Sequence, residues 1–115
     1  MIGNEQFREM ALSFEEATES AHFEKNSFRV GKKIFATLDE KVGRACLKLN
    51  ETDQDLFCLA DSTIIYPVPN KWGKQGWTLI ELSKIGNEVL MDALTIAFCE
   101  VSSKKSKNSI KKSLK

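Results

Sequence analysis

The sequence predicts a single α+β domain, and three features carry the prediction. An apolar stripe at helical spacing opens the chain, alternating apolar and charged residues fill its second quarter, and a longer apolar helical stripe closes it near residue 101. The 115 residues, 42% apolar and 29% charged, suit one core and are too apolar for a disordered chain. A domain of this size needs neither disulfides nor a structural metal to stay folded. No apolar run approaches about 18 residues and the first residues lack the regions of a signal peptide, so a cytoplasmic protein without a membrane segment is expected.

Asn4 can cap a first helix in which Phe7, Met10, Ala11 and Phe14 recur at three and four, ending near Ser13. Small and β-branched residues from Ala17 to Phe23 read as an edge strand. Phe28 to Val30, a turn at Gly31 and Lys32, and Lys33 to Leu38 form a hairpin with Ile34, Ala36 and Leu38 on one side. After a second turn over Asp39 to Gly43, the strand Arg44 to Leu49 sends Ala45, Leu47 and Leu49 to the apolar side. Because side chains change face at every residue, Arg29, Lys33, Phe35, Thr37, Arg44, Cys46 and Lys48 are expected on the opposite face.

Thr52 with Asp55 resembles a helix cap, and Leu56, Leu59 and Ala60 then form the inward stripe of a second helix packed on the sheet. Thr63 to Tyr66 reads as a strand that Pro67 and Pro69 confine to an edge. Asn70 to Gly76 reads as a loop, and Trp77 to Leu82 as the last strand, with Trp77 in the core. Asn87 caps a final helix with Leu90, Ala93, Leu94, Ala97, Phe98 and Val101 on one face. The expected order is helix, three strands, helix, two strands, helix over residues 1–102. Residues 103–115 read as a disordered lysine-rich tail, a solvated terminus or a basic arm.

The net charge of +1 hides four blocks of alternating sign. Residues 1–24 set six acids against Arg8, residues 25–48 seven bases against Asp39 and Glu40, residues 49–102 eight acids against three lysines, and the tail carries six lysines and no acid. A clustered basic patch attracts a polyanion even on a near-neutral protein. Elsewhere the chemistry is sparse. Cys46, Cys58 and Cys99 are odd in number, far apart and set among apolar neighbours, which reads as buried thiols. His22 is the sole histidine, so no metal site is expected. No nucleophile with a positioned base, no convergent acid pair and no phosphate-cradling glycine loop is recognisable, and neither an enzyme nor a cofactor is expected.

Phe28-Arg29-Val30-Gly31-Lys32-Lys33-Ile34-Phe35-Ala36, taken with the element order, resembles the MmcQ/YjbR family. Leu47-Lys48-Leu49-Asn50-Glu51 is similar to the family's strand end before its middle helix, Trp77 to the tryptophan opening its last strand, and Leu94 to Val101 to its closing helix. The segment Ser13 to Ala17 departs by lacking the proline and glycine that members often carry there, as does Thr78 where a valine is common. The resemblance implies a two-layer sandwich, an antiparallel sheet with helices on one face and the other partly open. It also implies DNA binding through hairpins acting as a pair of wings.

Two functions are weighed on that basis. In the first, the open sheet face binds DNA: Arg29, Lys33, Arg44 and Lys48 neutralise phosphates, Phe35 stacks on a base or sugar, Lys32 at the hairpin tip enters a groove, and Lys71, Trp72 and Lys74 form a second basic protrusion. The acidic blocks oppose this unless the fold segregates them. In the second, the sheet or its edge at Ile64, Ile65 and Tyr66 receives a protein partner, as an interaction or chaperone-like module. An apolar outer face favours protein, a basic one nucleic acid.

Overall fold

A computed structural model describes residues 2–22 and 25–102. Helix α1 (Asn4–Leu12) leads into β1 (Ala17–His22), β2 (Lys25–Val30), β3 (Lys33–Asp39) and β4 (Arg44–Lys48). Helix α2 (Glu51–Ala60), β5 (Ile65–Pro67), the one-turn helix α3 (Lys71–Lys74), β6 (Trp77–Glu81) and helix α4 (Asn87–Val101) follow. The strands form one sheet in the order β1-β2-β3-β4-β6-β5, and every neighbouring pair is antiparallel. The predicted tail over residues 103–115 and the predicted strand end at Phe23 lie outside the described residues.

The α+β architecture is as expected, with two differences in element order. Four strands precede α2 where the expected order counts three, because the predicted edge segment at Ala17 pairs as β1 along the length of β2, from Ala17 opposite Val30 to His22 opposite Lys25. The predicted loop after Pro69 contains α3, which Asn70 starts by accepting the Trp72 amide on its side chain at 2.8 Å. The prolines act as expected: β5 is a three-residue edge strand ending at Pro67. Between α1 and β1 the chain turns through Glu16 at φ 68, a left-handed position that favours glycine.

All three long helices lie on one face. α4 packs across β3 and β4, α1 against β1 and α4, and α2 against β5. The pleat sends Phe28, Ala36, Leu38, Ala45, Leu47 and Ile80 toward this layer, where they are fully buried with Leu90, Leu94 and Ala97 of α4. Each large side chain so buried contributes roughly 1.5–3 kcal/mol, which is why α4 forms along the predicted stripe.

The helix starts and the α2 face differ from expectation. The N-caps of α1 and α4 are Gly3 and Gly86, while Asn4 donates to the Glu40 carbonyl and Asn87 accepts from Gln6. Asn50, not Thr52, caps α2, its side chain accepting the Asp53 amide at 2.8 Å. Starting at Glu51 turns Gln54, Phe57 and Cys58 inward, leaving Leu56 and Leu59 61% and 80% exposed. Burying Gln54 is tolerated because its amide donates to the Gly73 carbonyl at 2.9 Å and the Thr78 hydroxyl at 3.1 Å.

Candidate nucleic-acid interface

The helix-free face is set by a bulge in the β2–β3 hairpin. Phe28 pairs with Ala36 but Arg29 pairs with Ile34, so Phe35 is the extra residue. Phe35 and Ala36 are therefore both fully buried on the helix side, and Ile34 turns outward. Phe35 is thus no stacking residue for a base. Its ring sits edge-on to Phe14 and Phe98, with centroids 6.1 and 5.8 Å away. The residues that carried a warning are Ile34-Phe35-Ala36, three apolar residues in a strand otherwise read as alternating.

Aromatic surface on the open face comes instead from tryptophan. Ile34 and Thr37 of β3, Cys46 of β4, and Trp77 and Leu79 of β6 project there, opposite the buried Leu38, Ala45, Leu47, Thr78 and Ile80. With Val68 and with Trp72 of α3 they line a groove of about 460 Å³, which Lys25, Asp39 and Arg44 also line. Trp77 is half-buried in this groove rather than in the core, and Trp72 is 50% exposed. Two close approaches hold α3 in place: the Gly73 backbone, where an added Cβ would lie 2.0 Å from the Val68 carbonyl oxygen, and Gly76 at φ 103 against Leu49. Burial pushes the Cys46 thiol up to about 11, against a smaller opposing pull from the Lys25 ammonium. Cys58 and Cys99 are likewise half-buried rather than buried.

The predicted cations divide by partner. Arg44 Nε donates to Glu81 Oε2 at 2.7 Å, and the Tyr66 hydroxyl donates to the same oxygen. The hydrogen bond to Glu81 raises the Arg44 pKa, and the Tyr66 hydroxyl and Arg44 together hold the Glu81 carboxyl below its ordinary value. Arg44 is therefore not the unpaired cation the sequence reading expected. Arg29 Nε donates to the Ser27 hydroxyl at 3.2 Å, and the Lys48 ammonium to the carbonyls of Leu49 and Gln75. These partners are neutral, so neither side chain is paired with an acid among the described residues. Lys32 and Lys33 are exposed at the hairpin turn, but Lys33, opposite the core-packed Val30, lies on the helix side rather than on the predicted open face, because the bulge reverses the alternation before Ala36. Lys71 and Lys74 are exposed on α3.

The fold separates the charge blocks. The helix layer carries Glu5, Glu9, Glu51, Asp53, Asp55, Glu88, Asp92 and Glu100 against Arg8 alone. Arg8 is itself consumed there, paired with Glu5, Glu19 and Glu40. Strands β2 to β4 and α3 carry Lys25, Arg29, Lys33, Arg44, Lys48, Lys71 and Lys74 against Asp39. No helix among the described residues is long and apolar enough to cross a membrane.

Residues 12–99 match the model of the YjbR family. Among solved structures, the chain is similar to the crystal structure of Deinococcus radiodurans protein DR2400, a DUF419 domain. The TM-score is 0.77 at 20% identity, over 91% of this chain and 82% of that one. No curated protein matches the sequence.

Proposed function

The chain belongs to the YjbR family, and from that premise we propose that it is a non-catalytic DNA-binding protein that presents its helix-free sheet face to the phosphate backbone. The observation that carries this reading is the separation of charge between the two layers. The acids of the helices lie on the opposite layer, while Arg29 and Lys48 project from β2 and β4 on the open face with only neutral side-chain or carbonyl partners. Lys32 and Lys33 at the hairpin turn are the foremost phosphate contacts, and Lys71 and Lys74 extend the surface on α3. Phosphate neutralisation of this kind gives affinity and register rather than base specificity.

Binding rather than catalysis fits the titratable groups on this face. Glu81 is held ionised by Tyr66 and Arg44, and Cys46 is held protonated by burial, so neither is poised as base or nucleophile at neutral pH. The apolar lining of the groove favours a second reading, a protein partner on the same face. Lys25 in the groove wall and Lys48, Lys71 and Lys74 beside it suit a polyanion better. The test is fluorescence anisotropy of a labelled DNA oligonucleotide with the full chain. Affinity measurable at about 50 mM salt, falling with a log–log slope of roughly −4 to −5 on duplex DNA, supports the reading, and no binding at that salt removes it.

A further inference from the structure

We infer that the groove between Trp72, Trp77 and Leu79 takes an unpaired nucleobase of a DNA strand, so that the open face favours single-stranded over duplex DNA. This rests on the DNA-binding reading above and adds to it the state of the strand.

The groove's volume of about 460 Å³ falls within the roughly 300–1,000 Å³ of ordinary ligand sites, so it is a recess rather than a flat surface. Its walls are apolar apart from Thr37 and the charged Lys25, Asp39 and Arg44. A nucleobase matches that division, with apolar faces and a polar edge. Two indoles contribute to the lining, one of them half in solvent. Among the described residues the paired aromatic rings are Phe7, Phe14, Phe28, Phe35 and Phe98, all on the helix side, and neither indole belongs to these pairs. Trp72, half in solvent, is the ring with surface to offer a base.

Charge complementarity selects the occupant. Lys48 lies on the strand beside the groove, reaching the carbonyl at the end of α3, and Lys71 and Lys74 flank Trp72 in sequence. An apolar peptide has no use for these cations, whereas a strand whose base enters the groove sets its phosphates among them. In a duplex both faces of every base are already stacked, so the groove goes unused and only the phosphate contacts remain.

The experiment compares anisotropy of a labelled oligo-thymidylate and a duplex of equal length with the full chain and with Trp72→Leu and Trp72→Phe, thermal melting confirming that each variant is folded. The oligo-thymidylate is expected to bind at least about fivefold tighter than the duplex. Trp72→Leu is expected to lose about fivefold or more of that affinity and with it the preference over duplex, and Trp72→Phe to retain most of both. A Trp72→Leu loss below about threefold, a duplex bound as tightly as the single strand, or thymidine monophosphate competing as strongly as the oligonucleotide overturns the inference. Failure of this inference leaves salt-dependent duplex binding intact. Failure of the DNA-binding reading abolishes binding of both oligonucleotides.

Discussion

Arg44 and Glu81 face each other across the β4–β6 pair, the guanidinium Nε 2.7 Å from the carboxylate, and the Tyr66 hydroxyl donates to the same oxygen. This one acid withholds a cation from the open face. Glu81→Gln removes the negative charge and returns Arg44 to the surface, so DNA affinity is expected to rise severalfold. The salt slope on duplex DNA should steepen by roughly 0.9, the increment of one further phosphate. Anisotropy titrations at several salt concentrations check both.

The same cluster sets a pH dependence of stability. Glu81 is held below the ordinary carboxylate range by the Tyr66 hydroxyl and by Arg44. Its folded value thus lies below its unfolded one. The associated stabilisation is present above the ordinary carboxylate range and is lost as pH falls through the depressed value. Thermal midpoints measured down the acid limb should fall less steeply for Glu81→Gln than for the parent protein. Because the pair is partly exposed, the difference is expected to stay below about 1 kcal/mol.

Phe35 is structural. Its ring is fully buried between Phe14 and Phe98, so Phe35→Ala is expected to cost about 3–5 kcal/mol in urea denaturation. That is a large share of a typical total of about 5–15 kcal/mol. A change below about 1 kcal/mol would instead mark a surface side chain.

Gly73 fixes the ledge that carries Trp72. A Cβ there would lie 2.0 Å from the Val68 carbonyl oxygen, so backbone must move to admit it. Gly73 also supplies the carbonyl that accepts the buried Gln54 amide. Gly73→Ala is therefore expected to destabilise by more than about 2 kcal/mol, beyond the range of an ordinary surface change. Indole emission should shift as Trp72 and the neighbouring turn are displaced, which tryptophan fluorescence and melting would detect together.

The hairpins, the closing helix and the edge position of β5 were legible because each follows from a local rule: alternation, a 3.6-residue stripe, and prolines that cannot donate. The Phe35 error came from applying alternation through a bulge, which moves one residue across the sheet without changing the residue types on either side of it. The α2 face was missed because its inward residue is Gln54, polar and satisfied by Gly73 and Thr78 from distant parts of the chain. Arg44 looked unpaired because its partner Glu81 is 37 residues away. Trp77 looked like core because the groove is assembled from β3, β4, β6 and α3, and no single stretch of sequence contains it. Of the cationic side chains of β2 to β4, Arg29 and Lys48 followed from the pleat, whereas Lys33 crossed to the helix side with Phe35 at the bulge.

The most direct measurement is DNA affinity after charge reversal on one layer at a time. Arg29→Glu with Lys32→Glu and Lys33→Glu reverses the β2–β3 hairpin, and Glu88→Lys with Asp92→Lys reverses charge on α4. Each set should leave stability within about 1 kcal/mol per substitution. The hairpin variant is expected to lose binding at about 50 mM salt, and the α4 variant to keep its affinity. A hairpin variant that binds with the parent's affinity and salt slope would contradict the assignment of DNA to the open sheet face.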